Sequence, residues 1–354
     1  MPARPIIDAH HHLWDQLGTP RRSSLVARLF GWSPRALRWV MRTLFPRDLV
    51  AFFGDGASLD AVRDYLPPDL RADASGYALE GTVHVQAGWE GKGPLGPVGE
   101  TRWLDQLPDG PAGIVGHADL TLGRDVEPVL AAHAEASAKF RGIRHMLAHH
   151  DARIVHSFAP RPGLAEEPGF RAGVERLARR GLSFDAWCYH HQLGEVTRLA
   201  RTFPELTVVL CHLGTPVAVG GPFGPLGYDA RERHDTFLAW ADALAEVAAE
   251  PNVVAKISGL TMPVLGWGYH LGESPPTAAR VAEDLRPLVT HALEVFGPER
   301  CMFASNFPVD RVSLPYATLY GAYERLVADL TEAEQRRLFQ GTAAQIYRLA
   351  RPDA

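Results

Sequence analysis

The sequence predicts a closed (β/α)8 barrel, the TIM-barrel class, with a helical insertion after its first strand. Three observations carry this reading. Eight short β-rich runs alternate with amphipathic helical stretches along the 354 residues, and strict alternation implies a parallel sheet. Eight such units in this length fit a closed barrel with insertions better than an open doubly wound sheet. No glycine-rich dinucleotide or phosphate-binding fingerprint follows any run. Residues 1–354 are read as a single domain.

The expected strands are Pro5–His12, Gly81–Ala87, Gly113–Asp119, Phe140–Met146, Leu182–Cys188, Leu206–His212, Val253–Gly259 and Cys301–Asn306. Helical periodicity lies between them at Val126–Lys139, Phe170–Arg179, Gly194–Thr202, Thr236–Ala249 and Ala278–Phe296. Thr331-Glu332-Ala333-Glu334 is a capping-box signature for a last helix. In a strand, side chains alternate faces, so Asp8, His10 and His12 share one face of the first run. Two imidazoles two residues apart on one face can reach a single cation. Polar and titratable groups recur where the other runs end: Gln86, Arg144-His145, Asp185 through His190, His212, Lys256 and Asn306. In a barrel the carboxyl ends of the strands converge on one mouth. His84 is expected inside the barrel as a hydrogen-bonded residue.

Composition bounds the partners. Apolar residues make up 46% of the chain and charged residues 22%, as in ordinary soluble domains. A formal net charge of −5 gives no global basic field, so no nucleic-acid partner is expected. The N-terminus has no apolar core of signal-peptide length, and no apolar run of about 18 residues follows. The expectation is a cytoplasmic protein with no membrane partner. Cys188, Cys211 and Cys301 are too widely spaced for a zinc pattern and odd in number, so they read as small buried hydrophobes.

The segment 16–60 stands apart. Between Asp15 and Asp48 it carries seven arginines and no acid. Leu25, Leu29, Leu37, Val40, Met41, Leu44 and Phe45 recur at helical spacing. This predicts helices forming a lid over the barrel mouth or a contact between two copies in a homodimer, with arginine stems covering apolar surface. Leu29, Trp39, Val40 and Phe45 are expected to be buried. A basic amphipathic pair also suits a membrane surface or an anionic ligand, a less favoured alternative.

Ile6-Ile7-Asp8-Ala9-His10-His11-His12-Leu13-Trp14, Phe140 through His145, Ser183 through Trp187, His212-Leu213-Gly214, Lys256 through Leu260 and Met302 through Pro308 occur in an order that resembles the amidohydrolase superfamily. The resemblance is to its lactonase-like branch, of fuconolactonase and pyrone-dicarboxylate-lactonase type. It implies a (β/α)8 hydrolase in which His10, His12 and His212 are catalytic residues and ligands of a divalent metal, with zinc the first choice. The superfamily usually ends its eighth strand with an aspartate serving as ligand and general base. This chain has Asn306 there, and asparagine cannot accept a proton from water. Metal is therefore expected to be held weakly or not at all. Asp310, then Asp185, is the expected replacement catalytic acid or base. Arg144, Gln86, Lys256, Trp187, His190 and Asn306 are the expected substrate-binding residues, Lys256 alternatively pairing with Asp185.

The substrate expected is a small lactone or carboxylated ring. Ester hydrolysis needs a polarised carbonyl, an activated water and a proton for the leaving oxygen. A metal supplies the first two; without one, Arg144, Lys256 and the histidines stabilise the oxyanion. Two alternatives stand beside this: a metal-dependent decarboxylase, and a barrel that binds ligand but has lost catalysis.

Overall fold

A computed structural model describes residues 3–21, 23–54 and 63–349. Eight strands run in sequence order around one sheet: β1 (Pro5–His11), β2 (Ala78–Val85), β3 (Gly113–Gly116), β4 (Phe140–Ile143), β5 (Ser183–Ala186), β6 (Val208–Leu210), β7 (Val253–Ile257) and β8 (Cys301–Phe303). Each pairs in parallel with the next. Beyond β8, the Asn306 N–H donates to the His10 carbonyl and the His12 N–H to the Phe307 carbonyl, both at 2.8 Å. These bonds bring the last strand back to the first and nearly close the barrel.

Three helices fill the insertion: α1 (Ser24–Phe30), α2 (Pro34–Leu44) and α3 (Arg47–Phe52). Helices α4 (Pro67–Asp73), α5 (Val98–Gln106), α6 (Glu127–Ala136), α7 (Pro168–Arg179), α8 (Leu193–Thr202), α9 (Ala230–Ala248), α10 (Ala278–Phe296) and α11 (Tyr316–Leu326) surround the sheet, and α12 (Glu332–Arg336) and α13 (Thr342–Ile346) follow. The Thr331 capping box forms, the Glu334 N–H donating to the Thr331 hydroxyl.

Parallel strands covered on both sides need apolar residues on both faces. Val83, Val85, Val115, Val209, Val254 and Met302 pack inside with Ala343, Ala344 and Tyr347 of the C-terminal segment. That segment closes the amino end of the barrel, where Leu349 meets Gly113 and Thr342 reaches the Glu299 carbonyl. Ile6, Ile114, Phe184, Leu210 and Phe303 face the helices. His84 is not in the interior as expected. It alternates with Val83 and Val85, so it points outward, accepts the Leu13 N–H and lies 3.6 Å from Glu100 of α5.

Two strands are shorter than their apolar runs. The sixth run leaves extended geometry at His212 and the eighth at Asn306, each with φ of 58°. Such values are uncommon away from glycine and tend to gather at functional sites. Helical spacing located the insertion helices but misjudged their rotation. In α2 the buried stripe is Leu37, Val40 and Met41, while Trp39 is 64% exposed; in α1 Leu29 is 54% exposed. Val40 is buried as expected and Phe45 half-buried. Residues 22 and 55–60 of the insertion lie outside the described residues. Among the described residues no helix is long and apolar enough to cross a membrane. All three cysteines are free and buried.

Candidate active site

The carboxyl ends of the strands bring His10, His12 and His212 together although some 200 residues separate them. The His10 ring lies 5.0 Å from that of His12 and 4.6 Å from that of His212. A register shift between Asp8 and His11 ends the regular pairing of β1. Asp8, expected on the same face as the two histidines, is engaged elsewhere. Its carboxylate accepts the Ser305 N–H at 2.9 Å and the Tyr316 hydroxyl at 3.1 Å, pinning β1 to α11 and the turn after β8.

Each imidazole is held by a second group. His12 Nδ1 donates to the Val85 carbonyl at 2.7 Å. A carbonyl only accepts, so Nδ1 carries the ring proton and Nε2 is bare. That bare nitrogen lies 3.3 Å from Asn306 Oδ1, whose amide Nδ2 is turned to Asp310 Oδ1 at 3.4 Å. His212 Nδ1 meets the Ser258 hydroxyl at 2.9 Å. A Cβ on Gly259 would fall 2.5 Å from that same nitrogen, so only glycine leaves room for the ring. Arg144 Nη2 donates to the Gln86 carbonyl at 2.6 Å, and Nη1 reaches His10 Nε2 at 3.5 Å. Its Nε is buried without a partner.

His12, Arg144, His212 and Asn306 floor a cavity of about 380 Å³; His10, expected beside them, touches His12 and His212 but is not on its wall. His12, Gln86, Arg144, Trp187, His212 and Asn306 line it, with Met41, Phe45, Leu49 and Phe52 of the insertion opposite. Burial drives His10, His12 and His212 well below the ordinary histidine value. Positive charge adds to this: Lys256 presses on His10, and Arg144 on His12 and His212. All three are neutral at physiological pH.

Lys256, Asp185, Asp310 and His190, also expected in the site, are not among the residues lining the cavity. Lys256 Nζ pairs with Asp185 Oδ2 at 2.7 Å, both fully buried. Tyr347 donates to the same oxygen at 2.7 Å and Ser183 to Oδ1 at 3.0 Å. Four groups from two strands, β5 and β7, and the C-terminal segment thus satisfy one another in the barrel. Asp310 is fully buried behind Asn306, and burial pushes its carboxyl up to about 7. His190 accepts the Val217 N–H through Nδ1 and is held down to about 4 by burial. Trp187 lines the cavity, its N–H donating to the Thr215 hydroxyl. Sequence reasoning missed the Val85 carbonyl, which has no sequence signature, and the contact of Asp48 in α3 with His156 on the cavity wall, at 2.6 Å.

The three rings gather, but they do not fit a divalent cation. Arg144 Nη1 occupies the space beside His10 Nε2. Lys256 and Arg144 direct positive charge at His10 and His212. The nearby carboxylates face elsewhere: Asp185 to Lys256, Asp8 to Ser305, Asp310 to Asn306. Among the described residues no group of three or more His, Cys, Asp or Glu side chains is placed to hold a metal ion. A dication bound by neutral imidazoles beside two fixed cations lacks the anionic ligand that offsets its charge.

Comparison with known proteins agrees with this arrangement of strands. A family model described as Amidohydrolase matches residues 7–349. An uncharacterized protein, y4mH, of Sinorhizobium fredii is 33% identical over 97% of this chain and 98% of its own length. An L-fucono-1,5-lactonase of Burkholderia multivorans is 32% identical, covering 82% of this chain and 88% of that enzyme. A crystal structure of an amidohydrolase from Burkholderia multivorans with bound zinc superposes with a TM-score of 0.69 at 26% identity, over 98% of this chain and 100% of that one. The chain therefore belongs to the amidohydrolase superfamily of (β/α)8-barrel hydrolases, in its lactonase-like branch.

Proposed function

We propose that the protein hydrolyses a small lactone without routing the reaction through a metal. The observation that carries this reading is Arg144: a guanidinium lining the cavity, with no carboxylate paired to it among the described residues and its Nε lacking any hydrogen-bond partner. Buried donors without partners are rare, and an unpaired buried charge is costly. A carbonyl oxygen becoming an oxyanion supplies the missing acceptor and the missing charge.

Across from it, His12 Nε2 and Asn306 Oδ1 are two acceptors 3.3 Å apart. One water donating to both is held with its lone pair toward the cavity. As that oxygen attacks the lactone carbonyl carbon, His12 Nε2 takes its proton and the carbonyl electrons move to oxygen beside Arg144. Collapse breaks the ring C–O bond, and the imidazolium returns the proton to the leaving alkoxide. The product is a hydroxy acid, with water as the only co-reactant. The same burial that keeps His12 neutral makes its imidazolium a ready proton donor. Asn306 orients the water and takes no proton. Asp310, which accepts from the Asn306 amide, positions it. The insertion acts as a lid.

Acid release from a panel of lactones, followed with a pH indicator, tests the reading. Arg144→Met is expected to lower kcat/KM by about 10²–10³-fold, the usual worth of one oxyanion donor. A panel that gives no acid, or release of carbon dioxide from carboxylated rings instead, would refute it.

A further inference from the structure

We propose that the lactone taken by this site carries an apolar non-reacting part, an alkyl chain or aryl ring, in place of the hydroxyls of a sugar lactone. The proposal rests on the lactonase reading above and adds the class of substrate. The cavity is divided. His12, Arg144, His212 and Asn306 form its polar floor, while Met41, Phe45, Phe52, Phe53, Phe158 and Trp187 make up much of the rest. The aromatic part is continuous. Phe52 lies 5.2 Å from Phe53, 5.2 Å from Phe158 and 6.0 Å from Trp187, ring to ring.

Polar groups on this side are already engaged. The Ser23 hydroxyl donates to Gln16 at 2.8 Å, and His156 is bound to Asp48 at 2.6 Å. The indole N–H of Trp14 goes to the Arg63 carbonyl and that of Trp187 to Thr215, so both tryptophans offer the cavity their apolar rings. Arg21, stacked on Trp14 at 4.8 Å, and Glu90 are the charged groups on this side. Two charges do not satisfy a ring of hydroxyls. Each sugar hydroxyl left without a partner on this wall weakens binding roughly ten- to a hundredfold. A methylene covered by the wall strengthens it about fourfold, equivalent to about 0.8 kcal/mol. The apolar half comes largely from the insertion, which is where loop variation on a barrel sets specificity.

The test is a homologous series of γ-lactones with side chains from methyl to heptyl, run beside a polyhydroxylated 1,5-lactone. The expected result is a two- to fourfold rise in kcat/KM per methylene until the cavity fills, with the sugar lactone at least a hundredfold below the best alkyl lactone. Phe52→Gln should flatten the dependence on chain length. A flat series, or a preference for the sugar lactone, overturns the proposal. If no lactone is turned over, the hydrolytic reading fails, and calorimetry with the matching γ-lactams separates the two ideas. Binding that tightens with chain length upholds the apolar pocket, and binding that does not overturns it.

Discussion

Lys256→Met tests whether the pair in the barrel interior is structural. Lys256 and Asp185 are fully buried with 2.7 Å between their charged atoms. Replacing the lysine leaves the carboxylate of Asp185 with two hydroxyl donors, Tyr347 and Ser183, and no counter-charge. Breaking one side of a buried ion pair costs about 3–5 kcal/mol. The lysine also lies 4.9 Å from the Tyr347 ring centroid, a contact worth up to roughly 2 kcal/mol when desolvated. The single variant should lose about 3–6 kcal/mol in urea denaturation. Lys256→Met with Asp185→Leu removes both charges at similar volume and should recover most of that loss, because no charge is then left unpaired. A Lys256→Met protein as stable as the parent, or a double variant no better than the single one, would refute the reasoning.

Three further outcomes are expected. Asp310 stands at about 7 against an ordinary 3.8, so between these values the folded chain keeps a proton that the unfolded chain has released. Stability from this group therefore falls as pH rises through that window and levels off above it. Asp310→Asn, which does not titrate, should gain stability over the parent across the same window, by up to roughly 4 kcal/mol at pH 8; equal pH slopes would count against it. Chelators should leave turnover unchanged, while Asn306→Asp, which sets a carboxylate opposite His12 Nε2, should raise zinc content measured by elemental analysis. Deleting residues 21–47 should leave the far-ultraviolet circular dichroism of a barrel and raise KM; an unchanged KM and an unchanged oligomeric state would remove the lid and the subunit-contact readings together.

Alternation of β-rich and amphipathic runs determined the architecture, because period-2 and period-3.6 patterns survive in the sequence without knowledge of neighbours. With the barrel in hand, the rule of convergent strand ends brought His10, His12, Arg144, His212 and Asn306 to one mouth. What the sequence left open depended on rotation and on partners. Helical spacing in the insertion included Leu37, Val40 and Met41, but only packing showed that these three are the buried face of α2 and that Trp39 points outward. Asp185, Lys256 and Asp310 were legible as titratable groups near strand ends. Their availability was decided by Tyr347, 162 residues from Asp185, and by the Asn306 amide. The bare nitrogen of His12 exists because the Val85 carbonyl takes the proton at Nδ1, and a backbone carbonyl is present at every position of every sequence. A pattern along the chain records which face a residue prefers; which partner it meets is fixed by the three-dimensional packing of segments remote in sequence.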